Sequence, residues 1–204
     1  MTSENSCIQA GNSCSVDDIK SGIVVNVKVN NEQTEDFYVL ADDGNKLTLI
    51  LNRNLKDKFG YTVPWSNAED SSYGPLTVLT ELQERTSTWT NLSEVIISEF
   101  EDNTDEGIII KTLAQSFTMY ARLPKYSEIY AINNSINLTD TTWLYTNLTS
   151  VFGGNYGYWT ATASSYSRFY AHRVSSDGYL GSEAIEYSDG GTSNGVRPVI
   201  ELSK

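Results

Sequence analysis

The stretch YWTATASSYSRFYAHRVSSDGYLGSEAIEYSDGGTSNGVRPVIEL, residues 158–202, decides how this chain is read. Its ends are regular and its middle is crowded with Tyr, Ser, Asp and Gly. YWTATA (158–163) alternates as a strand does, and RFYAHRV (168–174) does so again. In the second strand, Phe169, Ala171 and Arg173 share one face, and Tyr170, His172 and Val174 share the other. SSDG is a turn signal, and YLGSEAI (179–185) returns from it. A Gly/Ser/Asn/Asp loop over 188–195 then leads into VRPVIEL. Pro198 has no N–H to give a ladder, so this last strand is expected to be an edge or locally irregular. The segment therefore predicts three or four antiparallel strands forming a loop-rich C-terminal meander.

Working outward, GIVVNVKV (22–29) is rich in β-formers. DFYVLADDGNKLTLILNR (36–53) predicts a hairpin turning at Asp43-Gly44. Phe37 and Val39 share one face, as do Leu47, Leu49 and Leu51 on the return strand. Residues 62–75 form a polar connection. Beyond it, Leu76, Leu79, Leu82 and Arg85 fall at helical spacing, with Pro75 placed in the first turn of a helix that covers a sheet. Residues 91–117 hold two apolar runs around the acidic EDNTDEG. That run lacks the EF-hand spacing, so it predicts a solvated loop rather than a calcium site. In ARLPKYSEIYAINN (121–134), Lys125 or Ser127 opens a short helix carrying Ile129, Tyr130 and Ile132. TTWLYTNLTSVF (141–152) adds a further short helical turn. The fold class is α+β, with antiparallel sheets and two main helices.

The 204 residues suffice for one domain with a sizeable core. The division is a tail over 1–20 and a single domain over 21–204. Twenty-six acidic residues against fourteen basic ones give a net charge of −12. No Lys/Arg cluster offers a footprint for nucleic acid, and an anionic membrane surface is a poor partner on the same ground. No apolar run approaches the ~18 residues of a membrane-spanning helix. Cys7 and Cys14 are the only cysteines. Their spacing allows a short-loop disulfide, or alternatively two reduced thiols; the disulfide would imply an oxidising compartment. The polar start shows no signal peptide. The sequence as it stands is either that of a cytosolic protein or that of an extracellular or cell-surface ectodomain whose native N-terminal anchor or signal is missing, and the cysteine pair favours the second.

Catalytic chemistry finds little support. A Ser-His-Asp hydrolase would have to use His172, the one histidine, and no G-x-S-x-G elbow exists. Glu183 and Glu186 are a carboxylate pair without a visible cleft. No phosphate-cradling glycine loop is present, and a zinc site on the common Cys/His patterns lacks ligands. Binding explains the residues better. Tyr gives a large amphipathic contact for few rotatable bonds, while Ser, Gly and Asn adapt their hydrogen bonds. The ligand-binding candidates are Tyr166, Ser167, Arg168, Tyr170, His172, Tyr179, Ser182, Glu183, Tyr187, Asp189 and Asn194. No cofactor or metal is expected.

Three phrases in order, ARLP before a short helix, GYWTATA, and GVRPVIEL, resemble the C-type-lectin fold. The branch is that of formylglycine-generating enzymes and the variable proteins of diversity-generating retroelements. The upstream DDGNKLTLILNRNL and GPLTVLTELQERTSTWTNL resemble secreted, pilin-like proteins of gut Firmicutes. The resemblance spans about residues 36–202. It implies a C-type-lectin-like fold in which Arg122, Trp159 and Arg197 are framework residues, with guanidinium groups tying loop carbonyls together. It also implies a non-enzymatic, receptor- or adhesin-like module. Its partner would be a protein or glycan on a cell or phage surface, met by a segment that a retroelement diversifies. The departures remove the family's chemistries. No cysteine follows Cys14, so copper-dependent oxidation has no ligands, and the triplets that hold calcium in sugar-binding C-type lectins do not occur. A structural pilin-like surface subunit and a degenerate formylglycine-generating-enzyme-like protein are the alternatives.

Overall fold

Asp43-Gly44 does turn a hairpin, and Gly44 takes the left-handed conformation that the turn requires (φ 88°). The computed structural model describes residues 21–55, 63–68, 70–148, 157–185 and 194–204. The Cys7–Cys14 pairing, Tyr187 and Asp189 lie outside the described residues.

Two sheets form. The first contains β1 (Val24–Lys28), β2 (Thr34–Asp42), β3 (Lys46–Leu51) and the last strand, β9 (Val199–Ser203), in the order β1-β2-β3-β9. Every pair in it is antiparallel. The second contains β4 (Val95–Thr104), β5 (Gly107–Met119), β6 (Tyr158–Ala163), β7 (Tyr170–Val174) and β8 (Leu180–Ala184), in the order β5-β4-β6-β7-β8. Here β4 and β6 run parallel, through Glu101–Thr162 and Asp102–Ala163, and the other pairs are antiparallel. Two helices accompany them: α1 (Leu76–Thr86) and α2 (Tyr126–Asn133). The molecule is thus α+β with mostly antiparallel sheets.

The apolar spacing in α1 buries Val78, Leu79 and Leu82, as its periodicity demands. Pro75 sits one residue earlier than expected, as the N-cap. Leu79 and Leu82 join Phe37, Val39, Leu49 and Leu51 in one core cluster, with Trp65, Trp89 and Trp159 as its largest members. The indoles lock two distant segments reciprocally. Trp159 Nε1 donates to the Val63 carbonyl at 2.7 Å, and Trp65 Nε1 donates to the Thr160 carbonyl at 2.8 Å. A second cluster lies under α2, where Ile129 meets Leu138, Leu144, Val174, Leu180 and Val199.

One expectation about topology is corrected. The final strand does not extend the β6-β7-β8 meander. Residues 194–195 run beside the start of β6, where Trp159 N donates to Gly195 O and Gly195 N to Gly157 O. The chain then leaves for the first sheet, and β9 pairs with β3, Leu49 facing Ile200. Arg197 fixes this crossing. Its fully buried guanidinium donates to the carbonyls of Leu51 (2.6 Å), Leu144 and Trp143 (3.1 Å). Its carbon lies 5.1 Å from the Tyr158 ring centroid. Three carbonyls from two separate segments converge on one cation, which a strand-to-strand continuation would leave unpaired. Pro198 precedes β9, at the edge of its sheet, the position open to a residue without an N–H.

Arg122 performs a related task between α2 and β9. It donates to Leu123 O, to both oxygens of Glu128 and to Glu201 Oε1. Burial works against its charge, but the two carboxylates outweigh that and hold its pKa above the ordinary value.

Candidate functional site

The loop between β6 and β7 displays the chemistry that the sequence suggested. Ser164 N donates to Tyr170 O at 3.1 Å, which closes the loop at its base. Within it, Tyr170 N donates to Ser167 O at 2.9 Å, and the hydroxyls of Ser164 and Ser167 accept from the N–H groups of Tyr166 and Phe169. These short-range serine bonds give the loop its own backbone partners, so its side chains are free to face outward. Tyr166 is 76% exposed and Phe169 is 44% exposed. The Tyr166 ring meets Tyr170 edge-on at 5.2 Å, and the Arg168 guanidinium lies 4.8 Å from the Phe169 centroid.

A polar cleft of about 280 Å³ opens beside this loop. One wall is Ser164, Ser165 and Arg168. A second is the 3-10 turn Ser71–Tyr73, held to the loop by Ser71 N donating to Arg168 O at 2.6 Å. The third is the tip of the β4–β5 hairpin, Asp102 to Asp105 with Lys111. Lys111 pairs with Asp102 at 2.5 Å. Asp70 caps the 3-10 turn by accepting from Ser72. The Ser72 hydroxyl and N–H, aided by Arg168 and Lys111, hold its carboxyl below the usual range. Hydroxyls, two cations and the carboxylates of Asp102 and Asp105 therefore line a cleft beside the exposed rings of Tyr166 and Phe169. That set suits reversible hydrogen bonding and ring stacking.

Several predicted site residues are placed elsewhere. His172 is 8% exposed and Asn194 is 2% exposed, so neither is a surface contact. His172 lies against the Tyr126 ring at 4.3 Å, with Asn103 Nδ2 3.0 Å from Nε2 and Gly181 O 3.3 Å from Nδ1. Burial depresses its pKa, partly offset by Gly181 O and by the Glu101 charge. This mid-strand residue faces α2 and is largely covered by it. Asn194 is enclosed where the chain crosses beside β6. Tyr179 is 49% exposed but follows the Ser175–Gly178 turn, at the other end of the β7–β8 hairpin. The four steps along β7 make that about 13 Å from the Tyr170 end. Ser182 pairs across from His172, and Glu183 forms an ion pair with Arg173 at 2.9 Å. Of the predicted residues that are described, Tyr166, Ser167, Arg168 and Tyr170 come together.

Sequence reasoning missed Ser71, Ser72, Asp102 and Lys111. EDNTDEG is not a solvated loop but the end and turn of the β4–β5 hairpin, and nothing in its own composition shows that the fold sets it beside Arg168. The buried polar seam was missed as well. Glu101 is 4% exposed and accepts from the Ser127 hydroxyl, the Ser127 N–H (3.3 Å) and the Thr162 hydroxyl (2.8 Å). Thr162 Oγ1 in turn accepts from Tyr126 N at 2.9 Å. This network anchors the start of α2 over the parallel β4–β6 pair.

Among the described residues, no three His, Cys, Asp or Glu side chains are grouped to hold a metal. No helix among them is long and apolar enough to cross a membrane. Comparison with protein-family models, with curated proteins and with solved structures finds no match in any of the three.

Proposed function

We propose that this protein is a non-enzymatic ligand-binding module of the extracellular or cell-surface kind. It engages a protein or glycan on a cell or phage surface through the 164–170 loop and the adjoining cleft. The observation that carries this reading is the loop itself. It holds an aromatic ring out to solvent at Tyr166 while its backbone is closed by internal hydrogen bonds. A rigid backbone lowers the ordering cost of binding, and Tyr contributes contact area with few torsions to freeze. Arg168 over Phe169, and the hydroxyls of Ser71, Ser72 and Ser165, supply polar contacts around it. The C-type-lectin-like reading, and with it retroelement diversification of the C-terminal segment, belongs to the same proposal. Buried Trp159, the Arg197 crossing and the Arg122 cluster are the features that support the lectin-like framework; the diversification rests on the Tyr/Ser/Gly/Asp content of the displayed segment.

The test is adsorption of fluorescently labelled protein to bacterial cells and phage particles. It compares the wild type with Tyr166→Ala and Tyr170→Ala. Capture by the wild type, reduced at least about tenfold in both variants at unchanged melting temperature, is the expected result. Equal capture by folded variants would place the contact elsewhere and end this reading.

A further inference from the structure

Four sheet edges are seen among the described residues, and three of them are met at one end by another segment. The β1 edge is met by Asn91, whose N–H donates to Val29 O at 3.0 Å and whose side chain donates to Lys28 O at 3.3 Å. The β9 edge exchanges two 2.8 Å backbone bonds between Arg122 and Val199. The β8 edge receives Ile136, whose carbonyl accepts from Leu180 N at 2.8 Å, and Asn137 bridges to Tyr179. The fourth edge, the first half of β5, differs. Among the described residues, no backbone hydrogen bond reaches Gly107–Thr112 from any element but β4. The second half of β5 is occupied: α1 lies over it, Gln83 donates to Thr118 O at 2.8 Å, and Leu113, Phe117 and Met119 are buried.

The devices that usually protect a free edge are missing from this half. It has no proline, and its one charge, Lys111, is neutralised by Asp102. The register irregularity lies further along, between the Glu99–Thr112 and Ile97–Phe117 pairs. Three consecutive isoleucines, Ile108, Ile109 and Ile110, are 40%, 45% and 55% exposed. Ile108 and Ile110 project from one face and Ile109 from the other, so both faces of an added strand would find an apolar neighbour.

Charge decides what that strand is. Asp105 and Glu106 form the turn of the hairpin, and Glu99 stands opposite Thr112. None of these three carboxylates has an ion-pair partner among the described residues. An added strand would lie about two strand spacings, ~10 Å, from Glu99, close to one Debye length at physiological salt. A second copy of this chain would bring its own net charge of −12 and the same acidic tip. We infer that the Gly107–Thr112 edge of β5 is a docking site for an extended, basic segment of a partner protein. That segment alternates apolar residues with Lys or Arg and adds as a sixth strand to the second sheet. The edge shares Lys111 and Asp105 with the wall of the cleft, but the inference uses no residue of the 164–170 loop.

Fluorescence polarisation with a labelled synthetic peptide, KVRVKVRV, tests it on the full chain. The peptide is expected to bind saturably. The acidic counterpart EVDVEVDV and the non-alternating isomer KKRRVVVV are expected to bind at least about tenfold more weakly. N-methylation of alternate peptide amides should abolish binding when the methyls lie on the docking edge and spare it when they lie on the other. The double variant Ile108→Lys and Ile110→Lys changes exposed positions and should lose at least about tenfold. The same peptide should bind Tyr166→Ala as it binds the wild type, which separates this site from the loop. Equal binding of KKRRVVVV, equal binding of the two methylated forms, or no binding of KVRVKVRV would overturn the inference. So would dimerisation of the unliganded chain that the isoleucine variant removes.

Discussion

Replacing Arg197 by Met tests the account of how the two sheets are joined. Met keeps much of the side-chain length and is apolar, so the change removes hydrogen bonds with little new cavity. Three carbonyls lose a charged donor: Leu51 O, Leu144 O and Trp143 O. Trp143 O retains a long contact from the Thr146 hydroxyl at 3.5 Å, so its loss is the smallest. A buried acceptor left unpaired costs about 1–3 kcal/mol. Two full losses and one partial loss therefore come to about 3–7 kcal/mol. The relief of burying a charge offsets part of this, since burial already pulls the Arg197 pKa down. A net destabilisation of about 3 kcal/mol is expected. Equilibrium urea denaturation measures it. With a slope of about 2 kcal/mol per molar for a chain of this size, the midpoint should fall by about 1.5 M. Arg197→Lys restores a charge but not the fork, and should fall between the two. A loss below about 1 kcal/mol with unchanged slope would refute the reasoning. It would mean that the crossing is held by the apolar packing of β9 alone.

Two further predictions concern packing and pH. Gly157 has no left-handed backbone, yet a Cβ there would lie 1.9 Å from Val174 O and 2.9 Å from Ser175 Cα, backbone atoms that no rotamer change can move. Gly157→Ala should therefore cost at least about 2–3 kcal/mol in thermal or urea unfolding, and a neutral effect would show that the start of β6 can shift. His172 is buried with a folded pKa below its ordinary 6.5, so the unfolded chain binds the proton more readily. Its contribution is full above about pH 6.5 and is lost as pH falls through that value towards the folded pKa. Unfolding midpoints should decline over that window for the wild type and decline less for His172→Gln. Equal pH slopes would count against the burial of the ring.

The Asp43-Gly44 hairpin, the buried stripe of α1 and the identity of β6, β7 and β8 were legible because each rests on local information. A turn needs two residues of the right kind, and a periodicity of 2 or 3.6 is visible over one element. The neighbours of β9 were not legible. VRPVIEL reads the same beside β8 or beside β3, and long-range contacts, among them the convergence of Leu51, Leu144 and Trp143 on Arg197, select β3. The binding set was half legible for a similar reason. Composition marked the Tyr/Ser region, but alternation could not say that the face carrying His172 is covered by Tyr126 of α2. Nor could it bring Lys111 and Asp102 from the EDNTDEG hairpin to Arg168, some sixty residues later.

By itself, then, the sequence determined element types, the excess of negative charge and the presence of an adaptable aromatic segment, all properties summed over neighbours along the chain. The tertiary structure alone decided which Tyr and Ser reach solvent, which edge of which sheet is left free, and where cations meet carboxylates. Those depend on long-range burial, where a side chain's fate is set by the element laid over it.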